Sequence, residues 1–290
     1  MTILINTPNG NIGRALAEHL LDAGEQVVVI SRDPAKAAPL AARGARVVEG
    51  SVDDPKVLAR AFEGVDAAFW LTPPTYTPDF AAWATKVASE AAKAAEAAGT
   101  KRVVVLSSVG AHHTGNGPVS IVGEVEKVFR AALPNVLALR PAYFMENFLR
   151  ELDTIRAQGA FYGSTPAGRA FPMVATKDIA KVAAEELRAT WTGHRYRGVH
   201  GPADLTLSQV AGLLTEALGR DVKYVEVPLS AVREGMAGAG MPGFLVDLFA
   251  EMYDGLISGR MDPAEPRDAS TTTPTRFSEF AREVLAPALG

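Results

Sequence analysis

Thr2-Ile3-Leu4-Ile5-Asn6-Thr7-Pro8-Asn9-Gly10-Asn11-Ile12-Gly13 opens the chain. Residues 3–5 form a short apolar run of strand type, and Ile12, Leu16, Leu20 and Leu21 fall near helical spacing, which predicts a helix over 13–23 closed by Gly24. A strand, a glycine turn, a helix and then a second strand is the context in which Gly10 and Gly13 point to dinucleotide binding. Gly10 lets the backbone approach a pyrophosphate, Gly13 permits close packing of helix on strand, and the helix N-terminus turns unpaired N–H groups toward phosphate. The turn departs from the usual fingerprint at its first position, where Thr7 stands in place of glycine and Pro8 follows. Pro8 has no N–H to donate and holds Thr7 in extended space. Asn9, Asn11 and the Thr7 hydroxyl are the expected replacement donors. The competing reading is a tight turn that binds nothing.

Working outward, short apolar runs at 26–31, 46–49, 67–71, 102–107 and 136–139 alternate with helical stretches at 34–43, 55–62 and 80–98. This is the pattern of βαβ units around a parallel sheet covered on both faces. The fold class is α/β: a Rossmann doubly wound parallel sheet with a smaller C-terminal substrate region. We expect a dinucleotide-binding domain over 1–150, with the helix at 177–190 packing back on it, and a smaller, mostly helical substrate region over 151–290. A further helix is expected at 207–218, capped near Thr206 or Ser208, and the stretch 235–243 reads as a loop or lid.

Composition narrows the chemistry. The 290 residues are 48% hydrophobic and 21% charged, enough for a large core, and contain no cysteine, which excludes disulfides, thiolate metal sites and cysteine nucleophiles. The formal net charge of −4 carries no long block of one sign, so neither nucleic acid nor an anionic membrane is an expected partner. No apolar run approaches the roughly 20 residues of a spanning helix, and the early start of the first strand leaves no room for a leader, so a cytoplasmic protein with a small-molecule partner is expected. Self-association into a homo-oligomer stays open. No metal-ligand spacing stands out among the 5 histidines. After the second strand stand Ser31 and Arg32, with no acid to hold ribose hydroxyls; Arg32, with Lys36 one turn on, suits a 2′-phosphate. NADP(H) is therefore the expected cofactor, with NAD(H) as the alternative.

Several stretches together carry a likeness: Asn9-Gly10-Asn11-Ile12-Gly13, Val29-Ile30-Ser31-Arg32-Asp33, Leu71-Thr72-Pro73, Leu106-Ser107-Ser108-Val109-Gly110-Ala111, Leu139-Arg140-Pro141-Ala142-Tyr143-Phe144-Met145-Glu146-Asn147, Lys177-Asp178-Ile179-Ala180 and Gly201-Pro202. In these the chain resembles the NmrA-like atypical short-chain dehydrogenases/reductases, a group of NADP(H)-dependent quinone reductases, isoflavone-reductase-like enzymes and redox-sensing regulators. The resemblance implies that Leu71, Thr72 and Pro73 flank the adenosine half of the cofactor. It likewise implies that Ser107 lies under the nicotinamide side and that Pro141 and Tyr143 border it. Besides Thr7, two departures matter. Ser51 stands where relatives often have aspartate near the adenine. No Tyr-x-x-x-Lys occurs, and the expected region, Val119 to Lys127, contains no tyrosine.

Reducing an ordinary ketone by hydride makes a strongly basic alkoxide that needs a placed proton donor, whereas a quinone or similar conjugated acceptor yields a delocalised, weakly basic anion. The missing pair therefore shifts the expectation toward a quinone-like or polyketide-type aromatic substrate. The aromatic and methionine content of the second half, including Phe144, Met145, Phe148, Phe161, Tyr162, Phe171, Met236, Met241, Phe244 and Phe249, suits such a ligand, although residues of this kind also build cores. Candidate catalytic groups are His113, with its neighbour His112, on a glycine-rich loop, Tyr143, also readable as a pocket wall, and Ser108. Asp178 reads as a helix N-cap rather than a catalytic acid. A non-catalytic NADP(H)-sensing protein and a cyclase or lyase reusing the fold remain the alternatives to a reductase.

Overall fold

The computed structural model describes residues 1–75 and 77–289, which form two compact units. The first comprises Met1–Ser108, Ile121–Arg140 and Ile179–Arg197; the second comprises Val109–Ser120, Pro141–Asp178 and Gly198–Gly290. In chain order the elements begin β1 (Thr2–Ile5), α1 (Asn11–Asp22), β2 (Gln26–Ser31), α2 (Pro34–Ala42), β3 (Arg46–Glu49), α3 (Pro55–Phe62), β4 (Ala67–Leu71) and α4 (Phe80–Ala97). They continue with β5 (Arg102–Leu106), α5 (Pro118–Ala132), β6 (Val136–Pro141), β7 (Tyr143–Phe144), a 3-10 turn (Met145–Glu151), α6 (Leu152–Gln158), β8 (Ala160–Gly163) and β9 (Phe171–Val174). After these come α7 (Thr176–Arg188), β10 (His194–Val199), β11 (Asp204–Leu205), α8 (Leu207–Leu218), β12 (Lys223–Glu226), α9 (Leu229–Gly238), α10 (Gly243–Ser258), and the C-terminal α11 (Phe277–Phe280) and α12 (Ala286–Leu289).

The first unit is built on a seven-stranded sheet in the order β10-β6-β5-β4-β1-β2-β3. Every pair from β3 across to β6 is parallel, with Ile3 beside Val27 on one side and Ala67 on the other. Strands covered on both faces need apolar side chains throughout, and Ile3, Leu4, Ile5, Val104, Val105 and Leu137 are fully buried. Because β2 and β3 are added on one side of β1 and β4 onward on the other, the strand order reverses between β1 and β4. The crevice outside the carboxyl ends of such a pair is where open α/β sheets hold ligands. The helices start where the sequence allows: Asp33 and Asp54 accept from the N–H of Ala35 (3.1 Å) and Lys56 (2.8 Å), each ahead of a proline in the first turn.

The second unit packs the sheet β11-β9-β7 and the parallel pair β8 and β12 around Phe148, Ile155, Phe161, Phe171, Val210, Leu214, Phe277 and Phe280. A reciprocal capping box between Thr206 and Gln209 starts α8. Three expectations are corrected here. The first helix starts at Asn11, two residues early, since Gly10 already serves as its N-cap. The stretch 235–243 is no continuous loop: α9 runs to Gly238 and α10 starts at Gly243. Asp178 is not an N-cap but lies within the first turn of α7 and accepts from the Thr275 N–H (3.0 Å) and hydroxyl (2.9 Å); Glu146 instead accepts from the Thr176 N–H (2.9 Å) and hydroxyl (2.6 Å) at the start of that helix.

Candidate functional site

A cavity of about 440 Å³ opens at the carboxyl ends of β1 to β4, lined among others by Asn6, Thr7, Pro8, Asn9, Gly10, Ser31, Arg32, Gly50, Ser51, Asp53, Pro73, Thr75 and Trp83. Its floor is held by Asn6, whose side-chain carbonyl accepts from the Leu71 N–H (2.9 Å) while its amide donates to the Leu71 carbonyl (2.8 Å). The ends of β1 and β4 are thus bridged by one buried side chain at the point where the strand order reverses. Asn9 donates to the Ser31 hydroxyl (3.2 Å), which itself donates to the Asp33 carbonyl (2.7 Å), so one N–H of the Asn9 amide braces the turn against β2 while the side chain still lines the cavity.

Gly13 explains how the atypical turn keeps its shape. A Cβ there would lie 1.9 Å from the Thr7 carbonyl oxygen, so α1 sits directly on the backbone of the turn. At Gly10 a Cβ would meet only that oxygen, at 3.9 Å, and the rest of its surroundings is open cavity. No side chain caps α1 and its first turn carries no acid, which leaves its leading N–H groups and the positive end of its dipole to a ligand.

The expected cofactor residues fall into two groups. Thr7, Asn9, Gly10, Arg32 and Pro73 line one cavity. Asn11, Ile12 and Gly13 follow on α1; Ile12 is a core side chain, so only its backbone is on offer. Leu71 and Thr72 stand at the end of β4, Ser107 just past β5, and Pro141 ends β6. Lys36 lies outside the lining, exposed and 3.9 Å from Asp33. The hydroxyls of Thr7, Thr72, Thr75 and Ser107 are buried with no hydrogen-bond partner in the protein. Buried polar groups are rarely left unpaired, so orphans gathered at strand ends are what a bound polar molecule would satisfy. Open glycine backbone, a free helix start, an exposed guanidinium and orphaned hydroxyls fit a phosphorylated dinucleotide. Asn6, Asp53, Thr75 and Trp83 were not anticipated, because their convergence depends on which strand ends are neighbours.

The catalytic candidates are dispersed. His113 is exposed on a turn whose N–H donates to Gly110 (3.0 Å), with its ring 4.0 Å from that of His112. Ser108 is half-buried just after β5. Tyr143 packs edge-on against Phe148 (5.9 Å) and Phe171 (5.5 Å), and burial pushes its hydroxyl well above the ordinary phenol value, the nearby Tyr253 and Glu151 adding to the shift. Val119 to Lys127, where the usual tyrosine and lysine would stand, lies on α5. No group of three or more potential metal ligands occurs among the described residues, and no helix among them is long and apolar enough to cross a membrane.

A doubly wound parallel sheet with such a cavity at its reversal point has the form of a dinucleotide-binding α/β protein. The chain belongs to the NmrA-like family, whose family model matches residues 1–281. It is 33% identical to an NAD(P)H azoreductase of Xenophilus azovorans over 97% of this chain and 96% of that one. It is 25% identical to quinone oxidoreductase 2 of Escherichia coli (strain K12) over 89% and 88% of the two chains. The fold matches that of the Citrobacter sp. triphenylmethane reductase complexed with NADP(H), at a TM-score of 0.82 and 23% identity over 97% and 99% of the two chains.

Proposed function

We propose that the chain is an NADP(H)-dependent reductase passing hydride to a quinone-like, azo or polyketide-type aromatic acceptor without the tyrosine and lysine pair of ordinary short-chain dehydrogenases. The observation that carries the cofactor half is the cavity at the reversal point, where the Gly10 turn, the uncapped start of α1 and Arg32 share one lining. NADPH, when bound, supplies the hydride. Gly10 and the N–H groups of Asn11, Ile12 and Gly13 hold the pyrophosphate, and Thr7 offers its hydroxyl beside them. Arg32 takes the 2′-phosphate, with Lys36 contributing charge from outside the lining. Leu71, Thr72 and Pro73 flank the adenosine half; Ser107 and Pro141 border the nicotinamide side. Tyr143 serves as an aromatic wall, since a phenol made less acidic by burial is a poor acid. The acceptor half is supported by the names of the azoreductase and quinone oxidoreductase relatives and by the absence of tyrosine between Val119 and Lys127.

Titration of the purified chain with NADPH and NADH by fluorescence, followed by addition of a quinone or an azo dye and a trace of nicotinamide absorbance, tests this reading. Binding with oxidation is expected. Tight binding with no oxidation by any acceptor would identify a sensor instead, and no binding of either nucleotide would leave the cyclase or lyase reading. His113→Ala, Ser108→Ala and Tyr143→Phe each report whether that side chain contributes to turnover.

A further inference from the structure

We propose that the second unit carries a binding site for a small aromatic carboxylate, a single ring bearing one anionic group, in a cavity lined by Met145, Met173, Leu205, Leu213, Arg276 and Phe277 among others. The cavity holds about 250 Å³, against the roughly 150 Å³ of an apolar cavity that takes up benzene, so a ring with one carboxylate fits. Every lining residue belongs to the second unit, and the assignment is independent of the reductase reading because binding there needs no turnover.

Met145, Met173 and Phe277 are 1%, 0% and 3% exposed, so the cavity reaches side chains of the core. Leu205 and Leu213 are half-buried and Ala203, also in the lining, is exposed, which puts it at the mouth. The Gly201 N–H donates to the Met173 carbonyl (2.8 Å), and a Cβ on Gly201 would lie 2.2 Å from that oxygen and 3.5 Å from Met145 Cε. Only glycine lets the chain leading into β11 lie this close on β9, so backbone contacts fix that side of the cavity. Two thioethers and the Phe277 ring are polarizable partners that suit the face and edge of an aromatic ligand.

Among the described residues Arg276 is the one charged member of the lining, and its guanidinium makes neither a hydrogen bond nor an ion pair with them. The acids that flank the lining in sequence are engaged elsewhere. Asp204 pairs with Arg267, which also donates to the Gly201 carbonyl, and Glu279 accepts from the Arg276 backbone N–H (3.1 Å). An apolar cavity whose single charge is a cation selects an anion attached to an apolar body, and the planar guanidinium matches a carboxylate through two parallel bonds. Inorganic phosphate would leave the thioethers and the Phe277 ring unused, and a neutral ring would leave Arg276 unused.

The test uses the full chain with carbon-13 at the methionine methyls and benzoate as the probe, followed by NMR. Of the 7 methionines, Met145 and Met173, assigned through Met145→Leu and Met173→Leu, should shift along one saturation curve with a Kd of about 1 mM while the rest stay in place. Benzyl alcohol, an uncharged ring, should bind the native chain about tenfold more weakly than benzoate. Arg276→Gln, a change of an exposed side chain, should weaken benzoate about tenfold and leave benzyl alcohol unchanged, whereas Ala203→Trp at the mouth should weaken both. Benzoate that moves neither methyl would overturn the site. Equal affinity for benzoate and benzyl alcohol, or native benzoate affinity in Arg276→Gln, would overturn the anionic ligand, and inorganic phosphate shifting the same methyls with equal affinity would overturn the aromatic one. A chain that never oxidises NADPH would end the reductase reading and leave these titrations as they are, so the two readings fail separately.

Discussion

Replacing Gly13 by alanine puts the handling of the atypical turn to a direct test. The new Cβ would lie 1.9 Å from the Thr7 carbonyl oxygen, 2.8 Å from the Thr7 carbonyl carbon and 3.4 Å from Pro8 Cα, all of them backbone atoms that no rotamer change can move aside. Contact distances require α1 and the turn to part by roughly 1 Å, an overpacking that costs about 1–3 kcal/mol. For a chain of this size that lowers the melting temperature by about 2–5 °C. The same displacement spoils the alignment of N–H groups on the phosphates, and each charge-assisted bond lost weakens NADPH by about 10- to 100-fold. Gly10→Ala is the control. Its Cβ meets only the Thr7 oxygen, at 3.9 Å, so stability should fall by no more than the ~1 kcal/mol of a poorer N-cap, while the methyl intrudes on the cavity and weakens NADPH. Thermal melts with and without NADPH, together with fluorescence titrations, separate the two effects. A Gly13→Ala protein with native melting temperature and native NADPH affinity would refute the account of how this turn is supported.

Three further outcomes are expected. Arg32→Ala should weaken NADPH by about 10- to 100-fold and leave NADH nearly unchanged, as loss of a charge-assisted contact to the 2′-phosphate requires; equal losses measured by titration would mean that Arg32 does not touch that phosphate. Glu126 and Arg140 form a buried pair at 2.8 and 3.1 Å, the two side chains 4% and 6% exposed, so Glu126→Ala takes the carboxylate away from a buried guanidinium and should cost about 3 kcal/mol in a denaturant or thermal melt, whereas a loss under 1 kcal/mol would show the pair to be dispensable. His200 is held below the ordinary histidine value of 6.5 chiefly by burial and secondarily by Arg267. Its imidazole is neutral in the folded state while the unfolded chain takes up the proton first, so its contribution is fully present above about pH 6.5 and is lost progressively as pH falls below that value. The melting temperature of His200→Gln should fall less than that of the native chain between about pH 7.5 and 5.5, and parallel curves would dismiss the group.

How much of this was legible in the sequence depended on distance along the chain. The strands β2, β3 and β4 announce themselves because each is a local apolar run bounded by turn residues, and the Gly10 turn because strand, glycines and helix are contiguous. The strand β10 does not announce itself: Arg195, Tyr196 and Arg197 look like solvent-facing residues, and what makes them strand is a distant setting. There Arg140 and Arg130 stack on the Tyr196 ring at 3.9 and 4.3 Å, and Arg197 pairs with Glu186 at 2.7 Å. The loop or lid expected at 235–243 rested on its Met, Ala, Pro and Gly content, yet Gly235 and Gly238 fall within α9 and Gly243 opens α10, leaving only residues 239–242 between them. The same division holds for the cavity: Thr7, Gly10, Arg32 and Pro73 each sit just past a strand and could be read there, while Asn6 matters only because β4 lies beside β1. Asp178 carries the residue type of an N-cap, and only its bonds to Thr275, nearly a hundred residues on, give it another role.

The interleaving of the two units has a consequence for how the chain can be cut or copied. The first unit is written in three pieces and the second in three between and after them, so no single break point releases either one whole. A fragment ending at residue 150 would keep β1 to β6 but lose β10 and the whole of α7, leaving β6 as a bare sheet edge carrying Val136, Leu137 and Leu139 and open to pairing with another chain. Exchanging the second unit therefore means rewriting two internal segments, 109–120 and 141–178, that lie between strands of the sheet, as well as the C-terminal one.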